Sequence, residues 1–442
     1  MTAIYPGRSL APDRALDVLR ESMLIDGFDF VLDLKRSQGR RLVDARTGAS
    51  YLDMFGFFAS SALGMNHPAL AADPEFRAEL LTAALNKPAN SDIYTLEMAR
   101  FVETFRDVLG DPRLPHLFFI EGGTLAVENA LKVAFDWKSR RNEAKGLDPA
   151  LGGQVLHLTG AFHGRSGYAL SLTNTDPVKT DRFPKFGWPR IHAPIVGPFV
   201  EAREQRVLLA AQDAFDERPN DIACFICEPI QGEGGDRHLR GEFLCAMQQL
   251  CHDNDALFIV DEVQTGVGLT GTTWAYQQFG LEPDVVAFGK KTQVCGIMAG
   301  GRVDEVPDNV FRVSSRINST WGGNLTDMVR ARKILETIAD ERLIDRVGPL
   351  GDRLLRGLEW LAKRHAVVTE PRGRGLMCAF TLRTRALRDQ IVSDLFLREH
   401  VLVVGTGETG IRFRPPLTVT ADEIDEAVEA VDRVLELFDL QS

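Results

Sequence analysis

Residues 257–290 read LFIVDEVQTGVGLTGTTWAYQQFGLEPDVVAFGK, and this stretch decides the fold. Its two apolar runs, 257–260 and 285–288, have the length of buried β-strands. The first run ends in the acids Asp261 and Glu262, and the second leads to Lys290. Two such strands place a carboxylate and an amine at one edge of a sheet. A lysine that forms a Schiff base and an acid that holds a protonated pyridine nitrogen are the groups that pyridoxal phosphate chemistry most needs.

Strand-length apolar runs and helical patterns alternate from about residue 95 to residue 300. Predicted strands cover residues 116–120, 155–158, 223–227, 257–263 and 285–288, and predicted helices cover residues 124–140, 204–215 and 242–251. This alternation predicts an α/β fold, in which a mostly parallel central sheet carries helices on both faces.

The two ends of the chain show a different pattern of predicted helices and strands. The sequence predicts a helix at about residues 15–25 and a hairpin over residues 39–53 that turns at Thr47 and Gly48. It also predicts a long helical stretch over residues 328–365 and an amphipathic helix over residues 421–438. We therefore predict a large cofactor-binding domain over residues 61–324. Residues 1–60 and 325–442 would form a smaller α+β domain.

Composition limits the classes of partner. The chain has 442 residues and a net charge of −11, which argues against nucleic acid or an anionic membrane surface as the main partner. No apolar run reaches the roughly 18–20 residues that span a bilayer. The N-terminus lacks the charged-then-apolar pattern of a secretory signal. The expected location is therefore the cytoplasm.

Two motifs suggest other chemistry. Gly266, Gly268 and Gly271 fit the G-x-G-x-x-G pattern of NAD enzymes, but the predicted strand ends before these glycines instead of running directly into them. Cys224 and Cys227 form a C-x-x-C pair within a predicted strand, where residues three apart face opposite sides. No second pair stands at zinc spacing, so we expect buried free thiols and no metal site.

The quoted stretch resembles the class III aminotransferases, which are pyridoxal phosphate enzymes of fold type I. Further motifs of that family occur in the same order along the chain. They are GGT at 122–124, EN at 128–129, FHGR at 162–165, EPIQGEG at 228–234, TWGGN at 320–324 and RFRPP at 412–416. Because these motifs span residues 122–416, the resemblance covers most of the chain.

The resemblance implies a role for each matching residue. Lys290 would be the Schiff-base lysine, and its spacing from Pro283 and Asp284 favours it over Lys291. A helix N-terminus suits a phosphate group. The implied cofactor contacts are Asp261 at the pyridinium nitrogen, Gln264 near the ring hydroxyl, Phe162 stacked on the ring, and Gly122, Gly123 and Thr124 at the phosphate. Thr320 would reach the phosphate of a neighbouring subunit, which implies a homodimer with shared sites.

Three charged residues carry the substrate hypothesis. An arginine fork binds a carboxylate through two parallel hydrogen bonds. By resemblance, Arg412 takes the 2-oxoglutarate carboxylate next to the reacting carbon and Arg165 takes the distal one. An ω-amine donor has no carboxylate at its reacting carbon, and an unpaired buried arginine is costly. Glu233 would therefore pair with Arg412 in that half-reaction, while Arg165 holds the donor's α-carboxylate.

Several segments depart from the broad family pattern. Residues 86–94, 121–129, 291–296 and 325–328 resemble members that act on the ε-amino group of L-lysine. The implied reaction is a ping-pong transfer of that amino group to 2-oxoglutarate, giving 2-aminoadipate 6-semialdehyde and L-glutamate. The alternatives are a class III enzyme that uses ornithine, 4-aminobutyrate or 2,4-diaminobutyrate, an NAD-dependent oxidoreductase, and a catalytically silent binding protein of the same fold.

Overall fold

The computed structural model describes residues 10–439. Its strands are β1 Arg41–Val43, β2 Ser50–Asp53, β3 His116–Ile120, β4 Gln154–Leu158, β5 Arg190–Ile191, β6 Ile222–Cys227, β7 Ile230–Gln231, β8 Arg237–His238, β9 Leu257–Asp261, β10 Val285–Phe288, β11 Cys295–Ala299, β12 Val368–Arg374, β13 Met377–Leu382, β14 Val401–Leu402, β15 Val404–Thr406 and β16 Gly410–Phe413.

Its α-helices are α1 Ala15–Arg20, α2 Gly56–Ala59, α3 Pro68–Ala71, α4 Pro74–Leu85, α5 Leu96–Leu109, α6 Gly123–Ala144, α7 Gly167–Leu172, α8 Val200–Glu217, α9 Gly241–Asp253, α10 Leu325–Asp340, α11 Leu343–Arg364, α12 Arg385–Asp394 and α13 Ala421–Asp439. No helix within residues 10–439 is long and apolar enough to cross a bilayer.

The central sheet has seven strands in the order β3-β11-β10-β9-β6-β4-β5. All strands run in one direction except β11, which pairs antiparallel with both β10 and β3. The predicted mostly parallel sheet is confirmed. Strand β11 was not predicted, because its sequence, CGIMA, begins soon after Lys290 and contains a glycine. That glycine is required, since a Cβ at Gly296 would lie 2.3 Å from the carbonyl oxygen of Phe118.

Two hydrophobic clusters cover opposite faces of this sheet. Val285 and Ala287 pack in one cluster with residues of α6, whereas Val286 and Phe288 pack in the other with residues of α9. The alternation is that of a strand buried on both faces. Cys224 and Cys227 also fall in different clusters, and both are buried free thiols, as predicted.

The N-terminal and C-terminal parts of the chain meet in a three-stranded sheet. The predicted hairpin is confirmed as β1 and β2, and β2 also pairs in parallel with β14. A four-stranded sheet follows, in the order β12-β13-β16-β15. The single helical stretch predicted over residues 328–365 is wrong, because Arg342 adopts a left-handed conformation (φ 50°) that separates α10 from α11. Neither glycine nor proline stands at this break, so the sequence contains no conventional signal for it.

Candidate active site

Lys290 lies on the turn that follows β10. It is the first residue of the 3-10 turn Lys290–Thr292, and its φ of +54° is a left-handed value that non-glycine residues adopt at a cost. Burial, together with the nearby charge of Arg412, lowers the pKa of Lys290 to about 8, although Asp261 and Glu228 oppose the shift. A lysine with this lowered pKa is partly neutral near physiological pH and can act as a nucleophile.

The neighbouring Lys291 is also buried, and its Nζ has no hydrogen-bond partner within residues 10–439. Burial lowers the pKa of Lys291 as well, so a lowered pKa does not distinguish the two lysines. Their solvent exposure does, because Lys290 is partly exposed whereas Lys291 is 1% exposed. Lys290 is therefore the more accessible amine.

Asp261 ends strand β9 and forms a buried pair with a histidine. Its Oδ2 lies 2.7 Å from Nδ1 of His163, and its Oδ1 accepts a hydrogen bond of 3.0 Å from the N–H of Val263. Burial opposes a proton on His163, but the hydrogen bond and charge of Asp261 outweigh it, and the pKa of His163 is raised. His163 belongs to the FHGR motif, but the resemblance implied no role for it. The predicted strand end at Asp261 offered no signal for this pairing.

Two other buried carboxyl groups stand near this pair. Burial raises the pKa of Glu228 to about 7 and that of Glu262 to about 7. Glu228 accepts hydrogen bonds from the N–H groups of Phe162, at 3.0 Å, and Gly232, at 3.1 Å. It thereby joins the FHGR and EPIQGEG motifs, which are remote in sequence.

The start of α6 forms an anion-binding corner. Gly122 has a φ of +97° and caps the helix without a side-chain hydrogen bond, so no cap side chain occupies the first-turn N–H groups. A 22-residue helix has a partial positive charge at this end. Thr124 packs against the FHGR loop, since a Cβ at Gly164 would lie 2.4 Å from Thr124 Oγ1. The start of α6 therefore lies against Gly164 of the FHGR loop, two residues after Phe162.

Gln264 follows β9 and is held by Arg414. The Nε of Arg414 donates a 3.1 Å hydrogen bond to Oε1 of Gln264. Arg414 also forms an ion pair with Asp236, and both side chains are fully buried. Arg414 belongs to the RFRPP motif, for which no role of this residue was predicted, and its buried ion pair anchors the loop that carries Gln264.

Glu233 is bound by two cations. Its Oε2 lies 2.8 Å from Nη2 of Arg412, and its Oε1 lies 2.5 Å from Nζ of Lys179. Burial would raise the pKa of Glu233, but Arg412 and Lys179 outweigh burial and lower it. Nε and Nη1 of Arg412 are buried and have no partner among the described residues. The predicted contact between Glu233 and Arg412 is present, and Lys179 is a third member that sequence reasoning missed.

Two cations lie near the aromatic ring of Phe162. Cζ of Arg165 lies 5.9 Å from the ring centroid, and Nζ of Lys179 lies 5.5 Å from it. The side chain of Arg165 is exposed and forms no ion pair within the described part of the chain. The ring and the two substrate-binding candidates, Arg165 and Arg412, therefore belong to one region around Glu233.

Thr320 stands apart from these residues. It is exposed, and its carbonyl oxygen accepts a hydrogen bond of 3.1 Å from Ser91. Asn90 holds the same loop by donating to the carbonyl oxygen of Gly323 at 3.0 Å. Among residues 10–439, no hydrogen bond joins Thr320 to the residues around Lys290.

These residues fit pyridoxal phosphate. The helix N-terminus at Gly122 suits its phosphate group, and the partly exposed ring of Phe162 offers an aromatic surface to its pyridine ring. The buried Asp261 suits a ring nitrogen that carries a proton, because His163 holds this carboxylate in place. Lys290 supplies an amine within the same charged environment.

Comparison with known proteins identifies the family. The family profile "Aminotransferase class-III" matches residues 26–435. The chain is 65% identical over 435 residues to the L-lysine-epsilon aminotransferase of Mycobacterium tuberculosis (strain ATCC 25618 / H37Rv), with 97% of each chain covered. It is 57% identical over 422 residues to the L-lysine-epsilon aminotransferase of Streptomyces clavuligerus, covering 93% of this chain and 92% of that protein.

A solved structure extends this similarity to three dimensions. The lysine aminotransferase from M. tuberculosis in the internal aldimine form superposes with a TM-score of 0.96 at 64% identity, covering 97% of this chain and 100% of that chain. The family resemblance inferred from the sequence motifs is confirmed. The chain belongs to the class III aminotransferases, which are pyridoxal phosphate-dependent enzymes of fold type I.

Proposed function

We propose that the protein transfers the ε-amino group of L-lysine to 2-oxoglutarate and gives 2-aminoadipate 6-semialdehyde and L-glutamate by a ping-pong cycle. The observation that carries this proposal is the contact between Glu233 and Arg412, at 2.8 Å. While Glu233 contacts Arg412, the positive charge of Arg412 is compensated and the site suits a substrate end without a carboxylate. When Glu233 moves away, Arg412 can bind a substrate end that has a carboxylate. Identities of 57–65% to proteins named as L-lysine-epsilon aminotransferases support the choice of lysine.

Pyridoxal phosphate, when bound, supplies an electron-accepting ring that carries the amino group between the two substrates. The residues of this chain that would hold it are Gly122, Gly123 and Thr124 at the phosphate, Phe162 at the ring face, Asp261 at the ring nitrogen, Gln264 near the ring hydroxyl and Lys290 as the covalent link. His163 keeps Asp261 oriented through the 2.7 Å contact. The lowered pKa of Lys290 suits an amine that accepts and returns a proton at the reacting carbon.

The acceptor half-reaction uses both arginines. Nε and Nη1 of Arg412 are buried donors without partners in the described chain, so they are available to a carboxylate. Once Glu233 leaves Nη2, the Nε and Nη2 groups of Arg412 form a fork of parallel N–H donors. We propose that this fork binds the carboxylate of 2-oxoglutarate next to the reacting carbon, and that Arg165 binds the distal one. The two arginines then bind the two carboxylates of this substrate and fix its orientation.

The donor half-reaction uses the same residues differently. The ε-carbon of L-lysine bears no carboxylate, so Glu233 keeps its contact with Arg412 and compensates the buried charge. Arg165, which is exposed and without an ion pair in the described residues, is available for the α-carboxylate of lysine. The length of the substrate then places the ε-amino group at the reacting centre.

A panel of donors tests the reaction. L-Lysine, L-ornithine, 4-aminobutyrate and 2,4-diaminobutyrate are each supplied with 2-oxoglutarate, and the regiochemistry of every product is determined. We expect the highest kcat/KM for L-lysine and a product that cyclises to a six-membered imine, piperideine-6-carboxylate. A preference for another donor, or removal of the α-amino group of lysine, would overturn the proposal.

We propose that the enzyme is a cytoplasmic homodimer in which Thr320 of each chain completes the partner's phosphate site. Its exposed position, away from Lys290, supports this arrangement. Residues 61–324 would form the cofactor domain, and residues 1–60 with 325–442 the small domain; the pairing of β2 with β14 supports joining the two ends. Co-expressing Lys290→Ala and Thr320→Val chains should restore activity, because one site of a mixed dimer is unaltered. Absence of any rescue would argue against shared sites.

A further inference from the structure

We propose that Lys179 is the positioning residue that holds the Glu233 carboxylate when Arg412 is released to bind a dicarboxylate. The two oxygens of Glu233 are divided between the two cations, since Oε1 contacts Nζ of Lys179 at 2.5 Å and Oε2 contacts Nη2 of Arg412 at 2.8 Å. Either cation can therefore remain bound while the other is withdrawn. This inference rests on the proposed use of 2-oxoglutarate as acceptor.

The surroundings of Arg412 indicate which of the two contacts is exchanged. Arg412 is only 2% exposed and already has two unpartnered donors, so an incoming carboxylate can complete its hydrogen bonds. Lys179 is 16% exposed and is set by a local structure of its own. It ends the 3-10 turn Pro177–Lys179, which Asp176 caps by accepting from the N–H of Val178 at 3.0 Å.

Charge compensation gives Lys179 its role. A carboxylate that leaves one cation inside a partly buried site is costly unless another cation remains beside it. The backbone of Glu233 is held in place, because its carbonyl oxygen accepts from the N–H of Gly407 at 3.1 Å. Only the side chain needs to rotate. With Lys179 as the constant partner, Glu233 stays neutralised in both half-reactions.

Substitution of Lys179 should affect dicarboxylate binding and the lysine half-reaction differently. In the holoenzyme, Lys179→Met should weaken the affinity for glutarate, a dicarboxylate that cannot react, by about tenfold, equivalent to about 1.4 kcal/mol. The single-turnover rate with L-lysine should change by less than about twofold. Lys179→Arg should retain both properties, because it keeps the charge. Lys185→Met is the matched control, since Lys185 belongs to the same loop but donates to the carbonyl oxygen of Thr180 at 3.0 Å.

A double-mutant cycle makes the test specific. If Lys179 acts through Glu233, Lys179→Met should change glutarate affinity by less than about twofold in a Glu233→Gln background. An undiminished loss in that background would overturn the proposal and place Lys179 on the ligand itself. Unchanged glutarate affinity in the single variant, or equal losses in the two half-reactions, would also overturn it. Glutarate binding does not depend on the amine donor, so a failure of the lysine assignment would be seen separately in the donor panel.

Discussion

Replacing Glu233 with glutamine removes the charge that faces Arg412 and keeps the shape of the side chain. The contact that changes is the 2.8 Å hydrogen bond between Glu233 Oε2 and Arg412 Nη2, with side-chain exposures of 27% and 2%. During the lysine half-reaction, no substrate carboxylate replaces the lost charge. We therefore expect Glu233→Gln to impair that half-reaction selectively.

The size of the effect follows from the contact. A hydrogen bond to a charged group contributes about 1.5–3 kcal/mol, and breaking a fully buried pair costs about 3–5 kcal/mol. Because Glu233 is partly exposed, the appropriate value is about 2–3 kcal/mol. This corresponds to a loss of roughly 30- to 150-fold. The acceptor half-reaction should show no loss, and the KM for 2-oxoglutarate should fall, because Glu233 no longer competes for Arg412.

The assay is single-turnover kinetics of each half-reaction, followed by the visible absorbance of the holoenzyme after rapid mixing. Glu201→Gln is a suitable control, because Glu201 lies on helix α8 with its side chain exposed, and the substitution removes only its ion pair with Arg240. Equal losses in the two half-reactions would refute the exchange of partners at Arg412. A selective loss with 2-oxoglutarate would reverse the assignment of the two substrates.

Four further substitutions test other parts of the site. Lys290→Ala should abolish turnover and the visible absorbance of the bound cofactor, whereas Lys291→Met should retain that absorbance in a spectrum of the purified protein. Asp236→Asn leaves Arg414 buried without its partner and should lower the free energy of unfolding by about 3–5 kcal/mol, measured by chemical denaturation. Glu262→Gln should reduce the pH dependence of stability and leave the part that Glu228 contributes. The pKa of Glu262 is raised from 4.5 to about 7, so the stability of the wild type should fall as pH rises from about 4.5 to 7, and urea midpoints across that range would measure the difference.

Each of these predictions has a contrary result. Loss of the cofactor absorbance in Lys291→Met, with retention in Lys290→Ala, would exchange the roles of the two lysines. Asp425→Asn serves as the control for Asp236, since it breaks an exposed ion pair with Arg353 and should leave the unfolding midpoint unchanged. A fall of stability in Glu262→Gln as large as that of the wild type over the same pH range would assign the titration to other groups, such as Glu228.

The sequence by itself determined the central strands and the family. Residues 285–288 form a strand at the predicted position because a short run of apolar residues can be buried on both faces of a parallel sheet. The predicted hairpin at residues 39–53 also formed, since a turn residue separates two short strands. These features depend on neighbours within a few residues, so a local pattern is sufficient to predict them.

Only the tertiary structure decided which charged groups meet. Lys179 is 54 residues from Glu233, and no periodicity or spacing relates them. His163 and Asp261 are 98 residues apart and meet only because their strands and loops end at the same edge of the sheet. The surroundings of Lys290 and Lys291 likewise differ only after folding. Electrostatic partners are set by distance in space, and that distance is fixed by how the sheets and helices pack.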